Sequence, residues 1–76
     1  MNKQRRNKLN DAINCIEAAK GIIVNVKNDE EFAFDNMPEG LQYSDRGYKM
    51  EENIDNLDEA IDKIEEVVSL INDVIF

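Results

Sequence analysis

At 76 residues and 8.8 kDa the chain has room for one small domain, and so small a core is marginal without a disulfide, a structural metal or association with further copies. A single cysteine, Cys15, excludes an intrachain disulfide, and the absence of histidine excludes histidine-containing zinc sites and the commonest general base. Nine basic against seventeen acidic side chains give a net charge of −8, which disfavours direct contact with nucleic acid or an anionic membrane.

The opening residues Met-Asn-Lys-Gln-Arg-Arg lead into polar sequence instead of an apolar signal core, and no apolar run approaches the length of a membrane span. With a lone thiol, this reads as a cytoplasmic protein of a reducing compartment. A first helix is expected over 3–34, where Leu9, Ala12 or Ile13, Ile16, Ala19, Ile23 and Val26 recur every three or four residues and Ile22 widens the stripe. Ala18, Ala19 and Gly21 are small enough to let a partner helix come close. Cys15, beside Ile16, is expected to be a small buried hydrophobe. Pro38 biases Met37 away from helical geometry, and Met-Pro-Glu-Gly at 37–40 marks a turn, placed at 36–43.

The second helix, over 45–75 with Ser44 or Asp45 as its cap, carries the clearest signal. Met50, Ile54, Leu57, Ile61, Ile64, Val68, Ile71 and Ile75 alternate spacings of four and three, a heptad seam that no Pro or Gly interrupts. The expected fold is all-α, a two-helix antiparallel hairpin. Residues 1–28 hold six basic and two acidic side chains and residues 29–76 hold three and fifteen. Opposite charges therefore face each other across such a hairpin, and Lys3, Arg5, Arg6 and Lys8 are expected to pair with Glu65, Glu66 and Asp73.

One neighbouring helix cannot cover the C-terminal half of the second helix, because Val67, Leu70 and Val74 stand beside the seam. Ile64, Val67, Val68, Leu70, Ile71, Val74 and Ile75 are therefore the expected oligomer interface. The expected assembly is a homodimer, two hairpins making a four-helix bundle.

No Gly-rich phosphate loop, Cys-x-x-Cys pair or Ser–His arrangement occurs, so no catalytic, cofactor-binding or metal-binding residue is assigned. Glu51, Glu52, Asp55, Asp58, Glu59 and Asp62 form an acidic face whose spacings arise by default on a solvated acidic helix. Around the turn, Phe32, Phe34, Tyr43 and Tyr48 read first as a hydrophobic cluster closing the hairpin. The alternative is a recognition knob of Phe34, Met37, Leu41, Tyr43 and Arg46, of the aromatic-plus-Arg type found at interaction hot spots.

The stretch Phe34-Asp-Asn-Met-Pro-Glu-Gly-Leu-Gln-Tyr-Ser-Asp-Arg-Gly47, with Met50-Glu-Glu-Asn-Ile-Asp-Asn-Leu-Asp-Glu-Ala-Ile61 after it, resembles small uncharacterised helical-hairpin proteins of bacteriophages and mobile elements of Gram-positive bacteria. The resemblance covers about half of the chain and implies a phage or prophage origin and a two-helix hairpin, with no biochemical activity to carry over. Two functions stand side by side. One is a non-enzymatic assembly or adaptor module binding itself or a host or phage protein. The other is an acidic inhibitor of a host defence enzyme, presenting carboxylates where that enzyme expects phosphates. A third possibility, a bundle sequestering a small signalling ligand, needs a basic pocket built from few basic residues.

Overall fold

Two polar caps start the long helices. The Asn2 side chain accepts the Arg5 N–H at 2.9 Å and opens α1 (Lys3–Asp35). Ser44 accepts the Gly47 N–H at 3.4 Å and opens α3 (Asp45–Ile75). α1 ends at Asn36, whose backbone N–H and side-chain amide both donate to the Phe32 carbonyl. This computed structural model describes residues 1–76 and contains no strand.

Between the long helices the expected turn is itself partly helical. One turn of helix, α2 (Glu39–Gln42), forms because the Pro38 carbonyl accepts the N–H groups of both Leu41 and Gln42, at 2.9 and 3.2 Å. The Gln42 amide reaches back to the Phe34 carbonyl at 3.0 Å, tying the turn to the last residues of α1. Pro38 at the cap loses nothing, since the first N–H of a helix has no partner within it.

α1 and α3 pack side by side in a rod of 58 × 15 × 13 Å. Their direction is fixed by two ion pairs, Lys20 with Glu65 at 3.1 Å and Lys27 with Asp58 at 2.5 Å: seven residues up α1 is seven residues down α3. The seam predicted for α3 is the one that faces α1, with Met50 to Ile71 half-buried and Ile75 buried.

The seam of α1 differs from the expected stripe. Leu9, Ile13, Ile16, Lys20, Ile23, Lys27, Glu30 and Phe34 are half-buried at the same four-three alternation, whereas Ala19 and Val26 are exposed. Two lysines thus occupy seam positions. Their butyl stems lie along the apolar contact and their ammonium groups reach the carboxylates flanking it. Gly21 and Ala18 are exposed and take no part in the contact, with open space around the place a Gly21 side chain would occupy. Cys15 is exposed as well.

The basic start of α1 also departs from expectation. Lys3, Arg5, Arg6 and Lys8 make no ion pair with α3. Glu65 is taken by Lys20 and Glu66 by Lys63, and Arg6 donates to the Met1 carbonyl instead. The register explains this: with Lys20 level with Glu65, α1 runs past the end of α3, and its first two turns have no carboxylates beside them.

Candidate interaction surface

Residues seven apart share a helix face to within about 20°, so each flank of the hairpin can be followed from one landmark. Near the turn, a shallow groove is lined by Glu31, Phe34 and Asp35 of α1 and Glu51, Ile54 and Asp55 of α3. Stepping by sevens from Glu31 gives Val24, Glu17 and Asn10; stepping from Glu51 gives Asp58, Glu65 and Asn72. One flank of the hairpin is therefore mostly polar and acidic, with the half-buried Val24 as its one apolar member, and Lys20 and Lys27 direct their charges toward it.

The other flank is the reverse. It is formed by Ala12, Ala19 and Val26 of α1 and Ala60, Val67 and Val74 of α3, with Cys15, Ile22 and Leu70 just outside them. In the outer rows Asp29 follows Ile22 and Lys63 precedes Leu70 at the same spacing. Ile22 and Leu70 are each 65% exposed, and beyond the half-buried seams only two of the 76 residues, Gly47 and Ile75, are buried. A two-helix layer with one dry flank and one charged flank has the amphipathic form of half of a helical bundle.

The predicted site residues fall into three groups. Of the expected oligomer interface, Ile64, Val68, Ile71 and Ile75 face α1 within the hairpin, whereas Val67, Leu70 and Val74 remain exposed on the apolar flank. Of the acidic face, Glu51 and Asp55 join Glu31 and Asp35 around the groove, Asp58 pairs with Lys27, and Glu52 pairs with Lys49 at 3.8 Å. Glu59 and Asp62 are exposed on the outer surface. No group of three or more Cys, Asp or Glu side chains is arranged to hold a metal ion.

Around the turn, Phe34 and Met37 are half-buried, and Leu41, Tyr43 and Arg46 are exposed. The aromatic cluster expected to close the hairpin does not form, since Phe32 is 71% and Tyr43 68% exposed and Tyr48 also points to solvent. Phe34 alone inserts between the long helices, because it is the aromatic residue in step with the α1 seam.

Among the comparisons with known proteins, none matches: no protein-family model, no curated protein and no solved structure is similar to this chain. No helix is long and apolar enough to cross a membrane.

Lys27 is the one titratable group whose equilibrium is clearly shifted. A hydrogen bond to Asp58 is the main cause, and attraction from Asp58 and Glu31 adds to it, holding the ammonium above the ordinary lysine value of 10.5 against partial desolvation. A raised pKa means that Lys27 stabilises the fold fully below pH 10.5, and that this contribution is lost as pH rises through the higher folded value. In an NMR titration the Lys27 side chain is expected to deprotonate above 10.5, and Asp58→Asn should lower its midpoint; a Lys27 titration unchanged in that variant would show that the pair does not form in solution.

Proposed function

We propose that the chain is a non-enzymatic assembly module of phage or prophage type, working as a homodimer in the cytoplasm of a bacterial host. One observation carries this reading: a hairpin with two buried residues exposes an apolar flank contributed by both of its long helices. Exposed contiguous apolar surface of this kind marks a protein contact. The phage setting is carried over from the sequence resemblance of residues 34–61 alone. Sedimentation equilibrium at micromolar concentrations is expected to return twice the chain mass of 8.8 kDa, with a melting temperature that rises with concentration. A mass of 8.8 kDa and concentration-independent melting would refute the reading.

A second reading is favoured by the other flank. Glu31, Asp35, Glu51 and Asp55 place four carboxylates around one groove, a charge density that an enzyme evolved to grip phosphates would attract. On this reading the module inhibits a host nucleic-acid enzyme as a phosphate mimic, and the apolar flank serves only to pair two such acidic surfaces.

A further inference from the structure

We propose that the two copies lie face to face and antiparallel across the apolar flank, the basic open end of each hairpin over the acidic turn end of the other. This rests on the self-assembly reading and adds the geometry of the contact.

The first argument is area. A compact monomer of 8.8 kDa exposes roughly 4,800 Å² by the usual scaling with mass, whereas this hairpin exposes 5649 Å². The excess, about 850 Å², matches the roughly 800 Å² that each partner buries in a standard interface. A second copy is therefore an occupant of the right size.

The second argument is shape. Ala19 stands at the midpoint of α1 (Lys3–Asp35), and a two-fold axis through it, perpendicular to the helices, brings α1 against its own copy in reverse. Ala12 of one copy then meets Val26 of the other. On α3 the same axis passes by Val67 and sets Ala60 against Val74. Away from the axis a small side chain opposes a larger one on both helices, and at the axis the small Ala19 meets its own copy, as close packing of helices requires.

The third argument is charge, which chooses between the two ways of stacking two hairpins face to face. The open end carries Lys3, Arg5, Arg6 and Lys8, none of them in an ion pair with an acidic side chain. The turn end, residues 29–55, carries nine acidic side chains against Arg46 and Lys49; of these Asp29, seven residues on from Ile22, stands beside the apolar flank. With both turns at the same end, like charges would crowd both ends of the bundle. With turns at opposite ends, residues 3–8 of one copy lie over residues 30–35 of the other, Lys8 comes beside Asp29, and the excess of like charge at both ends is reduced.

The test uses Gly40, around which a new side chain meets open space. A Cys15→Ala/Gly40→Cys chain, nitroxide-labelled and measured by pulsed dipolar spectroscopy, should give a separation of about 60 Å, since each label lies about 21 residues beyond Ala19 at 1.5 Å per residue. A dimer with labels within about 20 Å, the span of two packed helix layers, would overturn the antiparallel arrangement and leave self-assembly standing. A monomer would overturn both.

Discussion

Adding one methyl group at Gly47 should lower the melting temperature by about 4–24 °C. Gly47 lies in the first turn of α3 and is buried against the end of α2. A Cβ there would fall 2.7 Å from the Leu41 carbonyl oxygen and closer still to the Gln42 carbonyl. These neighbours are backbone, fixed by their own hydrogen bonds, and cannot yield as a flexible side chain would. Overpacking of this kind costs about 1–3 kcal/mol, and in a domain this small each kcal/mol moves the midpoint by about 4–8 °C. The other two glycines serve as controls, because a Cβ at Gly21 or Gly40 meets nothing within 4 Å. Gly21→Ala should stabilise α1 by about 1 kcal/mol through helix propensity alone, and Gly40→Ala should change little. Thermal melts of the three variants would decide it; a Gly47→Ala chain melting with the parent would mean that α3 does not start hard against the turn.

The helices were legible in the sequence because their signals are local. Period, caps and breakers set α3 (Asp45–Ile75) from its first residue to its last, and α1 (Lys3–Asp35) to within one. The seam of α3 was legible because every position in it is apolar. The seam of α1 was not, because Lys20 and Lys27 fill two of its places, and a reading by hydrophobicity steps aside to Ala19 and Val26. The signal that could have found them is the continuation of the four-three alternation from Leu9 through Ile13, Ile16 and Ile23 to Phe34, which asks for positions 20 and 27 whatever stands there. Missing that step also hid the flank, since Ala19 and Val26 were counted inward when they belong outside.

Register and close approach are tertiary properties and left weaker traces. Charge alone suggested that the basic start of α1 meets the end of α3, but the α1 seam sets a register that carries residues 3–8 beyond it. The need for glycine at 47 comes from the carbonyls of Leu41 and Gln42, whose position follows from the single turn of α2 that the Pro38 carbonyl holds together. A Gly three residues after the capping Ser44 was visible; what it packs against was not.

Placing a lysine at Ile22, Val67 and Leu70 together should separate the dimer and, with it, much of the stability of the fold. These three are exposed in the single hairpin, at 65%, 43% and 65%, so in an isolated chain the change would be nearly neutral. In a face-to-face pair each is covered, and six side chains lose burial worth about 1.5–3 kcal/mol apiece when complete. Even at half coverage the loss is about 5–9 kcal/mol, and since 1.4 kcal/mol is tenfold in affinity, the dissociation constant should rise by at least a thousandfold. The variant should then sediment at 8.8 kDa and melt at a temperature independent of concentration. The matching control neutralises the outer acidic face, with Glu51, Glu52, Asp55, Glu59 and Asp62 changed to Gln or Asn and Asp58 kept because Lys27 depends on it. That chain should still dimerise at high concentration, because the apolar flank is intact, though more weakly than the parent, since Glu51, Glu52 and Asp55 belong to the acidic turn end. If it also loses capture of a nucleic-acid enzyme that the parent binds, the phosphate-mimic reading gains and the dimer becomes its scaffold. If instead the lysine variant stays dimeric, the copies meet through some other surface and the apolar flank is open to a different protein.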